Sequence, residues 1–210
     1  LKEKVDAYFT QNEIRKTGNW KLYIKTIFWL LMLVGTYLVL ILNPNLDIIS
    51  RIILCALHGL SWAGIGFNIV HDAAHGSYSA NRKTNNVMAR LFDFMAASSF
   101  MWKTKHNIVH HTFTNIEGVD DDIDAGALLR LAPQQKWRWY HRFQAAYALV
   151  LYSFIYILWI SQKDIEKYVK GKIGSISITK MNTKEKILFW LFKFLYILIY
   201  LFIPIVLFKW

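Results

Sequence analysis

Four stretches of this chain are apolar over lengths that the core of a small soluble domain does not require. Residues 26–43, TIFWLLMLVGTYLVLILN, suffice to cross the roughly 30 Å hydrocarbon layer of a bilayer as one helix. The NPN turn at 43–45 ends that helix, because proline removes a donor and turn residues favour reversal. A second run, 46–70, follows at once, so the two are expected to pair as an antiparallel hairpin. Further runs occupy 143–160 and 187–208; the latter contains Lys193 and Pro204, interruptions that neighbouring helices can accommodate. The pattern predicts an all-α integral membrane domain, continuous over 1–210, with no repeat, low-complexity tract or flexible linker to divide it.

The basic residues orient such a domain. Six Lys and Arg precede the first span, none lies in the 43–47 turn, and nine lie between 71 and 142. The N-terminal lead and the long 71–142 loop are therefore expected on the cytoplasmic side. The net charge of +11 would also suit nucleic acid, but the lysines flank apolar spans, where an anionic leaflet already accounts for them. The seven lysines in 161–186 ask for the same cytoplasmic side, which conflicts with 143–160 crossing the membrane. The conflict is removed if 143–160 is re-entrant or lies at the interface and the third crossing is 187–208. Residues 87–102, VMARLFDFMAASSFMW, are too short and interrupted to span and are expected to lie in the headgroup layer.

The first apolar run begins behind a charged lead too long for a secretory signal peptide and reads as a retained anchor. Cys55 alone forms no intrachain disulfide and is expected to pack. The chain opens on Leu1 rather than Met and ends at Lys209-Trp210 directly after an apolar run, as expected of a fragment cut at both ends.

Six of the seven histidines, at 71, 75, 106, 110, 111 and 141, fall in or beside the long loop. In HDAAH, His71 and His75 share a face if the preceding helix continues, since residues four apart are neighbours on a helix. In HNIVHH, His106 and His110 repeat that spacing, and His111 follows. At about 100° per residue, His110 lies about 40° from His106 and His111 about 140° from it. That angle argues for two ions, one held by His106 and His110, the other by His111 with His71 and His75. His58 lies thirteen residues before His71, about 20 Å along a helix at 1.5 Å per residue, and reads as a buried, hydrogen-bonded residue. His141, in KWRWYHRF, reads as part of a basic and aromatic interface segment. Asp72 and the acidic run GVDDDID, with Asp120, Asp121, Asp122 and Asp124, offer acceptors for imidazole N–H groups; a solvated loop is the plainer alternative.

Imidazole suits iron, zinc, copper and nickel alike, so ligand type leaves the metal open. HDAAH differs by one methylene from the H-E-x-x-H of zinc proteases, but a zinc hydrolase leaves the histidines of the second box unexplained. A polyhistidine pair of irons accounts for both clusters and can use O2 to take hydrogen from an unactivated C–H bond. At a membrane surface such bonds belong to acyl chains.

HDAAHGSYS, then HNIVHHTFTN about thirty residues later, then GVDDDID, resembles the membrane fatty acid desaturases, in particular their acyl-CoA and front-end branch. The likeness runs from about Trp20 to the C-terminus and is most specific at the second box. It implies an oxidoreductase of lipid metabolism that introduces a double bond into an acyl chain bound to CoA or lipid. It further implies two iron ions, O2 as co-substrate, and electrons from cytochrome b5 or a ferredoxin. The resemblance carries metal ligation to His71, His75, His106, His110 and His111. A hydroxylase on the same scaffold is the nearest rival. The family's third box, an H-or-Q-x-x-H-H element, has no match, so this stretch alone is not expected to complete the site or to be active.

Overall fold

The computed structural model describes residues 1–173, 176–177 and 181–208; the terminal pair at 209–210 and Lys180 of the lysine-rich stretch lie outside them. The helices are α1 (Lys2–Gln11), α2 (Trp20–Leu42), α3 (Ile48–Ala74), α4 (Arg82–Ala89), α5 (Leu91–Phe94), α6 (Ser99–Lys103), α7 (Trp139–Lys170) and α8 (Thr183–Phe208). Among the described residues the extended structure is a two-stranded antiparallel hairpin, Lys172–Ile173 against Ile176–Ser177. The all-α expectation therefore holds. Four of the helices, α2, α3, α7 and α8, are long and apolar enough to cross a membrane.

The chain forms two compact units, one of Leu1–Met95 with the chain from Tyr196 onward, the other of Ala96–Leu195. In the first, α2 and α3 pair as the expected hairpin. Their limits differ from the apolar runs because polar caps set them. Asn19 accepts from the Lys21 N–H, so α2 starts six residues before the apolar run. Asp47 accepts from Ser50 N–H at 3.0 Å and starts α3. Close approach within the hairpin requires a glycine: a Cβ on Gly64 would lie 2.4 Å from the Trp29 ring. Thr36 and His58 then bond across it at 2.9 Å. At the opposite end, the Gly18 N–H donates to the Ser77 carbonyl and the Thr26 and Tyr78 hydroxyls bond at 2.9 Å.

In the second unit α6 runs directly into a π-helical segment, Thr104–His110. A loop follows, then α7, which stops at Gly171 in the left-handed conformation, φ +63°. Met101, Met181 and Phe189 form a buried cluster joined by Tyr168, whose ring stacks on Phe189 at 4.8 Å. The polar loop is bonded along α7: Gln144 exchanges two hydrogen bonds with the Arg130 backbone, Tyr147 donates to the Leu128 carbonyl, and Lys163 donates to the Asp124 carbonyl.

The two segments expected to be re-entrant or interfacial are both largely helical. Residues 87–102 break into the end of α4, α5 and the start of α6, with Ala96 at φ +57° between them. Phe92, Met95, Ala96, Ala97 and Met101 are buried there, while Val87 and Phe94 are exposed. The run 143–160 lies inside the unbroken α7, which is long enough to cross as well as to lie flat.

Candidate metal centre

The first histidine box is the end of α3. A π-helical turn, Gly66–Val70, precedes it, with the His71 N–H donating back to the Gly66 carbonyl. From there the helix is regular: the His75 N–H donates to the His71 carbonyl at 3.1 Å, and the two rings lie 4.6 Å apart on one face. The carbonyl of Asp72 fixes the turn that follows, accepting from Ser77 N–H and Tyr78 N–H at 2.9 and 3.2 Å. Its carboxylate stands 3.9 Å from His71 Nδ1, an ion-pair distance beyond hydrogen bonding.

The second box departs from α-helical geometry, and the departure decides which histidines meet. The His111 N–H donates to the carbonyl of His106, five residues back. With i→i+5 bonding, residues five apart fall about one turn apart, so His111 returns toward His106 instead of pointing 140° away. Ring centroids confirm it: His106 to His111 is 4.9 Å, His106 to His110 is 5.3 Å and His110 to His111 is 5.6 Å. The angular separation expected from an ideal α-helix is therefore corrected, and all three imidazoles gather on one side. Trp102, one turn earlier, stacks on His106 at 4.4 Å.

Carboxylates back this cluster. His110 Nδ1 is 3.0 Å from Asp120 Oδ2 and 3.1 Å from Oδ1, so an Nδ1–H donated there fixes the tautomer that leaves Nε2 as a ligand. Burial of Asp120 would raise its pKa, yet N–H groups of Asn115 and Asp122, with His110, hold it below the ordinary carboxylate range. Asp122 faces both His106 and His110, its Oδ2 lying 3.5 and 3.3 Å from their Nδ1 atoms. One ligand atom from each of His106, His110 and Asp122 falls within 4.8 Å of the others. Imidazoles whose Nδ1 atoms are met by carboxylates, leaving Nε2 to bind, suit a divalent iron or zinc ion, so the residues fit a metal.

Asp121, the other acidic candidate, points elsewhere. It pairs with Lys167 and, at 3.5 Å, with Lys105, whose ammonium also reaches Asp122 Oδ1 at 2.6 Å. Burial would raise the Asp121 pKa, but the two lysines hold it low; the same pairs raise Lys105 against its own burial. Neither lysine was singled out from the sequence, where each looks like one more basic residue of a charged loop. Behind the network a cavity of about 300 Å³ is lined by Asp122, Lys105, Leu131, Tyr152, Ile155 and Trp159.

The two remaining histidines are occupied by ordinary bonds. His58 bonds Thr36 through Nδ1 and the Tyr200 hydroxyl through Nε2 at 3.1 Å. His141 accepts from Arg138 N–H through Nδ1 and donates to the Ala127 carbonyl through Nε2.

A family model described as fatty acid desaturase matches residues 46–210. The chain is 33% identical over 185 residues to an sn-1 linoleoyl-lipid 6-desaturase of Synechocystis, an alignment covering 88% of this chain and 51% of that protein. A protein of the same description from Arthrospira platensis is 34% identical over 159 residues, covering 76% and 43%. An acyl-lipid (8-3)-desaturase of Physcomitrium patens is 32% identical over 198 residues, covering 93% and 41%. The chain thus spans about half the length, or less, of these relatives. No solved structure matches it. With its four membrane-length helices, its two histidine boxes on helix ends and a family match over most of its length, the chain belongs to the fatty acid desaturase family.

Proposed function

We propose that this chain is part of an O2-dependent fatty acyl desaturase of lipid metabolism, with His71, His75, His106, His110 and His111 as metal ligands. The observation that carries the reading is the π-helical turn that gathers His106, His110 and His111 while Asp120 and Asp122 brace the ring nitrogens from behind. Two iron ions held by such ligands supply the means to reduce O2 and to remove hydrogen from an unactivated C–H bond. The overall change removes one hydrogen from each of two adjacent methylenes and, with O2, two electrons and two protons, yields a double bond and two waters. An electron-transfer protein, cytochrome b5 or a ferredoxin, is the source of those electrons.

The chain's own residues orient and enclose. Asp120 holds the His110 ring, Trp102 stacks against His106, and Lys105 anchors Asp122 by its other oxygen. The cavity that shares Asp122 with the histidine cluster offers an apolar wall of Tyr152, Ile155 and Trp159, suited to acyl methylenes. Relatives whose names specify acyl-lipid substrates favour a lipid-linked acyl chain over acyl-CoA.

The lysine and arginine bias supports a cytoplasmic face for both boxes. For α7 we infer a helix lying at the membrane interface. Gln144 and Lys163, about 28 Å apart along a helix at 1.5 Å per residue, both bond the same polar loop. A crossing helix would carry that irregular backbone through the hydrocarbon layer.

The test is product analysis. The intact protein, given a lipid-linked saturated or mono-unsaturated acyl chain, O2 and an electron donor, is expected to yield one new double bond. A hydroxy acid in its place would favour the hydroxylase.

A further inference from the structure

One buried ion pair in the second unit has no part in the site described above. Asp164, in the last third of α7, and Lys193, ten residues into α8, are 2% and 8% exposed and stand 3.9 Å apart. Removing two charges from water is costly, and such a pair is at best weakly stabilising against apolar residues of the same size. Its bonds show what it holds. Lys193 Nζ donates to the Ala96 carbonyl at 2.9 Å and to the Ile160 carbonyl. Asp164 accepts from the Ser98 N–H at 3.3 Å and from the Trp159 indole N–H at 2.9 Å.

These partners lead to the second histidine box from both sides. Ser98 is the N-cap of α6, its hydroxyl accepting from Met101 N–H, and α6 passes without a break into Thr104–His110. Lys193 fixes the carbonyl of Ala96 and Asp164 the amide of Ser98, so the turn that launches this helix is held at both of its sides. Trp159, on the other oxygen of Asp164, lies under the Lys105 ammonium at 5.9 Å, and Lys105 pairs with Asp122 beside His106 and His110.

We propose that Asp164 and Lys193 are positioning residues for the metal held at His106 and His110, acting through Ser98 at the start of the helix and through Trp159 and Lys105 at its histidines. The inference rests on the metal-binding reading of that box. Its basis is the hydrogen bonds of the pair, not its charge.

Two double variants separate bonds from charge in the intact protein. Asp164→Asn with Lys193→Gln removes both charges but keeps one carbonyl acceptor for the Ser98 or Trp159 N–H and an amide donor for the Ala96 or Ile160 carbonyl; it is expected to weaken the binding of ferrous iron, titrated without oxygen, less than the variant that removes every one of these bonds. Asp164→Leu with Lys193→Leu removes the bonds and leaves the Ser98 and Trp159 N–H groups without their acceptor; it is expected to keep its helical content at a lower thermal midpoint while its iron affinity falls about 10- to 100-fold, as when a group supporting a ligand is lost. Wild-type affinity in the leucine variant overturns the proposal. Should that variant fail to fold, Trp159→Phe, which deletes one indole donor, is expected to weaken iron binding severalfold, and unchanged affinity there overturns the proposal equally. His110→Ala is the control. If it leaves iron affinity unchanged, the metal-binding reading itself falls and takes this inference with it; if it weakens binding while the leucine variant does not, only the positioning role is lost.

Discussion

His110 Nδ1 lies 3.0 Å from the buried carboxylate of Asp120, which also accepts the N–H groups of Asn115 and Asp122. The loop after the second box is thus folded around one carboxylate, and that carboxylate sets the tautomer of a histidine.

Asp120→Asn tests this bond. The amide can present an N–H to His110 where an acceptor is needed, and loses the charge that favours the Nδ1–H form. Metal affinity at the second box is expected to fall about 10- to 100-fold, with the helical content unchanged. Ferrous iron titration and circular dichroism together check it; an unchanged affinity contradicts the role.

The two boxes illustrate what a sequence carries and what it does not. Apolar runs and flanking lysines made the membrane helices and the hairpin legible, because burial in lipid imposes a length and a composition. His71 and His75 were also legible, since an ordinary helical spacing puts them together. The mutual approach of His106 and His111 was not, because it depends on i→i+5 bonding that leaves no mark in residue type. The roles of Asp121 and Asp122 were hidden for another reason. Neighbours in one acidic run, both reach Lys105, but Asp121 turns on to Lys167 and Asp122 to His106 and His110, as the loop bends around Asp120.

Hairpin packing is tested at Gly64. An alanine there gains helix propensity but places its Cβ against the Trp29 ring, and overpacking of this kind costs about 1–3 kcal/mol. Gly64→Ala is expected to lower the thermal midpoint in detergent, and Trp29→Leu in the same chain to restore part of it. A neutral Gly64→Ala contradicts the tight approach of α2 and α3.

The interface-lying placement of α7 is tested by single cysteines, with Cys55 replaced by serine. Positions Gln134 and Lys172 lie on the two sides of α7 in the chain. Labelling of both from the cytoplasmic side by a membrane-impermeant reagent is expected. Labelling of Lys172→Cys from the opposite side contradicts the placement.

The central claim is that these histidines bind iron, and metal analysis of the intact, purified protein tests it most directly. The account predicts about two irons per chain, with a marked loss in each of His71→Ala, His106→Ala and His110→Ala. One zinc per chain, or iron content indifferent to these substitutions, would contradict it.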